Sequence, residues 1–127
     1  MENIMIEGTE RTPEIAFDFS ADIYRIAGES YPENVSEFYD ALVEKLKSHL
    51  STRKDAQIEF NFEFIYFNSS TAKVLFDLFE LMDETSENGN KVTVNWIYEE
   101  DDDHMEELGE EFGEDLESAT FNLKAKE

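Results

Sequence analysis

The sequence predicts an α/β domain built on a mixed sheet of four or five strands, with its helices packed on one face. Three observations carry that expectation. Residues 57–64 alternate strictly, with Ile58, Phe60, Phe62 and Phe64 on one side and Gln57, Glu59, Asn61 and Glu63 on the other. A strand covered by helices on both faces would be apolar on both, so one face of this sheet should stay largely solvated. Two other segments carry apolar residues at three- and four-residue steps, the signature of helices with one buried stripe. The order of elements, β-β-α-β-α-β-α with a short final strand, mixes adjacent strands with helical crossovers, as a mixed sheet requires.

Taken in order, residues 14–19 alternate through Ile15, Phe17 and Phe19, and residues 23–28 read as a second strand across a tight Ser20-Ala21-Asp22 turn. Together they suggest a hairpin. A polar loop around Pro32 follows. Asn34 and Glu37 have the N-cap and N3 spacing of a helix start, and Val35, Phe38, Tyr39, Leu42, Val43, Leu46 and Leu50 form its stripe. After the strand at 57–64, Ile65, Tyr66 and Phe67 lead into a second helix, expected to run to about Asp83. Asn88-Gly89-Asn90 marks a turn, and residues 91–98 form the next strand, with Val92, Val94, Trp96 and Tyr98 on one side. Met105, Leu108, Phe112 and Leu116 give a third helix a thin stripe. Gly109 and Gly113 are expected to weaken it by about 1 kcal/mol each relative to Ala. Residues 120–123 read as a short strand with a frayed tail beyond. No linker, repeat or low-complexity block divides the chain, so one domain over 1–127 is expected.

The chain has 127 residues, with 40% apolar positions, eleven Phe, five Tyr and one Trp. That aromatic content argues against disorder. Ten basic residues against 32 acidic ones give a net charge of −22. Such a charge repels phosphate backbones and anionic lipid, so neither nucleic acid nor membrane is an expected partner. There is no cysteine, hence no disulfide framework and no thiolate nucleophile. Met1-Glu2-Asn3-Ile4 carries acid where an export signal carries base, and no apolar run approaches the ~20 residues of a membrane span. A cytoplasmic protein, monomeric when free, is expected.

Little in the chain suggests catalysis. His49 and His104 both fall on polar helix segments and read as solvated residues. No grouped glycines form a phosphate-cradling loop, so no cofactor is expected. The acidic run from Glu99 to Asp103 lacks the turn glycine of a calcium loop and reads as a favourable helix start. A small metal-dependent enzyme built on that turn is the alternative from another class. Asn68-Ser69-Ser70-Thr71 is different: three hydroxyls sit where a strand gives way to a helix. One hydroxyl suffices to cap the helix, which leaves the other two free near the surface. A phosphate there adds about −1.5 to −2 charges against a helix end that favours anions.

The segment Glu63-Phe64-Ile65-Tyr66-Phe67-Asn68-Ser69-Ser70-Thr71-Ala72-Lys73 resembles the phosphosite segment of SiaC-type bacterial regulatory phosphoproteins. Gly8-Thr9-Glu10-Arg11-Thr12-Pro13 resembles the family's G-T-x-x-T-P. Gly28-Glu29-Ser30-Tyr31-Pro32-Glu33-Asn34 resembles its G-[DE]-S-Y-P-E-N loop. Trp96-Ile97-Tyr98 and residues 106–115 (EELGEEFGED) resemble its C-terminal motifs. The resemblance implies a STAS-like fold and partner switching. A protein serine/threonine kinase would phosphorylate the second helix start and a PP2C-type phosphatase would reverse it. The unphosphorylated form would bind and activate an effector, a diguanylate cyclase acting in cyclic-di-GMP, biofilm and aggregation signalling. Carried over by position, the family's phosphothreonine falls on Ser69. The related antagonist motif D-S-S-G points instead to Ser70, and Thr71 is a further alternative. An anti-sigma-factor antagonist controlling transcription is the alternative output. The expected partner surface comprises Glu29, Ser30, Tyr31, Pro32, Glu33, Asn34, Asn68, Ser69, Ser70, Thr71 and Lys73, with Tyr31 as an exposed aromatic anchor. Neither metal nor catalytic residues are implied.

Overall fold

Residues 2–126 are described by a computed structural model. Six strands and three helices follow one another as β1 (Ile4–Ile6), β2 (Glu14–Asp18), β3 (Ile23–Ser30), α1 (Val35–Leu50), β4 (Gln57–Phe67), α2 (Ser69–Glu87), β5 (Lys91–Glu99), α3 (Asp103–Glu114) and β6 (Thr120–Lys126). The strands lie side by side in sequence order. β1, β2 and β3 are antiparallel neighbours, while β3, β4, β5 and β6 run parallel. Right-handed crossovers are the rule between parallel strands. Strand order advances one way from β3 to β6, so three such crossovers put all three helices on one face.

Burial agrees with that geometry. Phe17, Tyr24, Phe60, Phe62, Val94 and Trp96 from the sheet join Leu42 and Leu46 of α1, Leu75, Leu78 and Met82 of α2, and Met105 and Phe112 of α3 in one core. Glu59 is exposed and Asn61 and Glu63 are half-buried on the opposite face. There, Arg25 bridges Glu14 at 3.0 Å and Glu63 at 3.2 Å, and Lys126 reaches Glu63 at 2.7 Å. Amides of Asn61, Asn95 and Asn122 form a ladder across three strands, at 2.9 and 3.1 Å. Polar side chains that satisfy one another let this face meet water without apolar cover.

Several expectations need correction. The sheet has six strands, not four or five: β1 is an added edge strand, and the chain beyond Thr120, expected to fray, is β6, paired with β5 along its length. β4 runs on through Phe67 and α2 through Glu87. Gly109 and Gly113 cost helix propensity, but a Cβ at either would overlap the Trp96 ring or the Phe121 ring. They let α3 settle close against the sheet, where Trp96 Nε1 donates to the Met105 carbonyl at 3.0 Å. His49 is not solvated. Its Nε2 lies 2.9 Å from Asp22 Oδ1, and Asp22 also accepts from the Tyr24 hydroxyl at 2.8 Å and pairs with Arg53 at 2.8 Å. His104 is exposed as expected.

Candidate functional site

The start of α2 is organised by Asn68. Its side chain accepts from the Thr71 amide at 2.9 Å and so caps the helix. This corrects the assignment of capping to a hydroxyl. Thr71 is also not a surface group: it is fully buried, and its hydroxyl donates to the Ser30 carbonyl at 3.0 Å. Ser30 is fully buried too, with its Oγ 2.9 Å from Thr71 Oγ1 and 2.6 Å from the Tyr39 hydroxyl. Burial pushes the Tyr39 phenol up to about 12, against the opposing pull of its Ser30 and Thr71 hydrogen bonds. Three hydroxyls thus form a closed network under the helix start. The Thr71 hydroxyl, expected to lie free near the surface, is instead buried with its hydrogen-bond partners in place. Ser30 and Thr71, both expected on the partner surface, lie buried beneath it.

Ser69 and Ser70 remain, both exposed, at the first two positions of α2. Lys73 is exposed one turn further on. The Pro32 loop lies beside them, because the Asn68 amide donates to the Ser30 carbonyl at 3.1 Å. Glu33 and Asn34 are exposed, Glu29 and Pro32 half-buried, and Asn34 caps α1 by accepting from the Glu37 amide at 3.1 Å. Tyr31, expected to be exposed, is half-buried. Its ring meets Tyr66 edge-on with centroids 5.8 Å apart, and the Arg11 guanidinium sits 5.8 Å from its centroid. The Tyr31 amide also donates to the Arg11 carbonyl at 2.7 Å. The three N-terminal, loop and helix-start motifs are therefore one contiguous surface.

Ile65 and Tyr66, 68% and 50% exposed, belong to that surface and were not among the expected site residues. The register shifts between Gly28 and Glu29, so that Gly28 faces Phe64 but Glu29 faces Tyr66. Ile65 is the extra residue of a bulge, which re-aims side chains. The signal in the sequence is the break in alternation after Phe64, where four apolar residues run together.

Asp102 of the acidic turn caps α3, accepting from the Met105 amide at 3.0 Å. Among the described residues no group of three or more His, Asp or Glu side chains is arranged to hold a metal ion. Among the described residues no helix is long and apolar enough to cross a membrane.

A model of the SiaC family regulatory phosphoprotein matches residues 6–126. This chain belongs to the SiaC family. An uncharacterized protein of Pseudomonas aeruginosa is 32% identical over 127 residues, covering 98% of each chain. The crystal structure of apo-SiaC from that organism superposes with a TM-score of 0.88 at 32% identity, over 98% of this chain and 100% of that one. SiaC bound to the diguanylate cyclase SiaD, which it activates, superposes at 0.90 with 31% identity, covering 97% and 99%. In this chain the buried Ser30 ties the Pro32 loop to the helix start.

Proposed function

We propose that this protein is a partner-switching regulator: its unphosphorylated form binds and activates a diguanylate cyclase, and phosphate on Ser69 ends that binding. The carrying observation is the Ser69 hydroxyl, exposed on the first residue of α2 and not needed for capping, in a chain of a phosphoprotein family. A relative is an activator of a diguanylate cyclase, which supports the choice of effector. A protein serine/threonine kinase adds the phosphate and a PP2C-type phosphatase removes it. The protein works as a monomeric, STAS-like regulatory domain in the cytoplasm, without catalysis or cofactor of its own. Tyr31, Tyr66 and Ile65 supply apolar contact, with Glu29, Pro32, Glu33, Asn34, Asn68, Ser70 and Lys73 around them.

Physically, the phosphate harms the contact and spares the fold. Helix amides favour an anion at this end by about 0.3–1 kcal/mol, whereas desolvating an unpaired phosphate at an interface is costly. Ser69→Asp should weaken cyclase binding by about tenfold or more, with thermal stability nearly unchanged. Ser69→Ala should bind like the parent and take no phosphate there. Fragmentation mass spectrometry after kinase treatment locates the group. Phosphate on Ser70 alone would move the site by one residue; none on either serine would overturn the switch.

A further inference from the structure

Between α2 and α3 runs a groove of about 420 Å³, away from the α2 start. Its floor is apolar: Phe79 and Phe112 are buried, Leu116 is half-buried, and Phe76, though 52% exposed, rests on Phe112 with centroids 4.7 Å apart. Its rim is acidic, with Glu80, Glu84 and Glu87 along α2 and Asp115 opposite. Asp83 faces the groove as well. Burial works to raise its carboxyl, and amide hydrogen bonds from Ala119, Ser118 and Glu117 override that and hold it below the ordinary range. Among the described residues no Lys or Arg lines the groove.

Charge decides what fits. α2 carries five acidic residues and one basic residue, Lys73; α3 carries six acidic residues and neither Lys nor Arg. A second copy of this chain, itself at −22, would bring like charge to like charge. The α2 wall spans residues 76–87, which at 1.5 Å per residue is roughly 16 Å, or three helical turns. Helices bind grooves of this kind by an apolar ridge at i, i+3, i+4 and i+7.

We infer that the α2/α3 groove is a docking site for a basic amphipathic helix of a protein partner, its apolar ridge on Phe76 and Phe112 and its Lys or Arg residues against Glu80, Glu84, Glu87 and Asp115. This surface is separate from the Ser69 surface and does not depend on which hydroxyl carries phosphate.

The test uses the full chain and a synthetic Lys/Leu peptide with helical amphipathic spacing, followed by NMR titration and calorimetry. Saturable one-to-one binding is expected, with shifts concentrated on residues 76–87 and 112–116. A peptide of the same composition in scrambled order should bind about tenfold more weakly or worse. Phe76→Ser, at an exposed position, should cause a similar loss, and a Glu80→Gln/Glu84→Gln/Glu87→Gln variant should bind more weakly with a shallower salt dependence. Equal binding of the scrambled peptide, equal binding by Phe76→Ser, or shifts spread over the whole acidic surface would each overturn the inference. An NMR spectrum of each free variant confirms that it is folded.

Discussion

Ser69 and Thr71 are two residues apart on the first turn of α2 and have opposite surroundings, one in water and one sealed beneath the helix. Thr71→Val keeps shape and removes the hydroxyl, leaving the Ser30 carbonyl and Oγ short of a partner. Loss of a buried hydrogen-bond partner costs about 1–3 kcal/mol, so a fall in thermal midpoint of several degrees is expected by calorimetry, with Ser69 still open to phosphorylation. Tyr39 offers a pH test. Its folded value, raised to about 12, lies above the ordinary value near 10. A raised value contributes stability that is fully present below pH 10 and is lost as pH rises towards 12. Denaturant titrations across that window should show the parent losing stability, and Tyr39→Phe losing less of it. Tyr39 was legible on the apolar stripe of α1, but the burial of Thr71 was not, because three consecutive hydroxyls look alike until an asparagine takes the cap. His49 escaped for a similar reason: its partner, Asp22, lies 27 positions away in a turn with positive φ.

Elements with strong periodicity were legible. The alternation of 57–64 placed the central strand and the one-sided helix layer, and the stripes of α1 and α2 marked those helices within a few residues. Edges were not. β1 has three residues, and the outer strand β6 is at most half-buried, so neither shows a clean period-two pattern. β6 nevertheless matters, since Phe121 packs on Phe79 with centroids 6.2 Å apart and lies over Gly113. Gly109→Ala tests the close approach of α3. Propensity alone favours Ala by about 1 kcal/mol, but overlap with the Trp96 ring costs about 1–3 kcal/mol. A net loss of stability on chemical denaturation is expected; a gain would mean that α3 can shift away from the sheet without penalty.

At the scale of the whole molecule, a net charge of −22 on 127 residues is self-repulsion spread over the surface. Raising salt from low ionic strength shortens the Debye length to about 8 Å at 0.15 M, so the thermal midpoint should rise with added NaCl. Glu63 stands apart from that background. Burial works to raise its carboxyl, but hydrogen bonds from Lys126 and Arg25 win and lower it below 4.5. Its contribution is therefore present above that pH and lost as pH falls beneath it, an acid-limb loss that Glu63→Gln should flatten. This network ties β2, β3, β4 and β6 across the open face, which helps to explain why a sheet with one solvated side holds so acidic a chain.

In the proposed switch, one phosphate on the exposed Ser69 abolishes the contact made by the Tyr31–Tyr66 surface. The direct measurement is the rate of cyclic-di-GMP synthesis by the cognate diguanylate cyclase, titrated with this protein either unmodified or phosphorylated on Ser69 to completion as judged by intact mass. Saturable stimulation by the unmodified form is predicted, with the phosphorylated form requiring about a hundredfold more protein or failing to stimulate at all. Equal stimulation by both forms, with phosphate verified on Ser69, would contradict the switch.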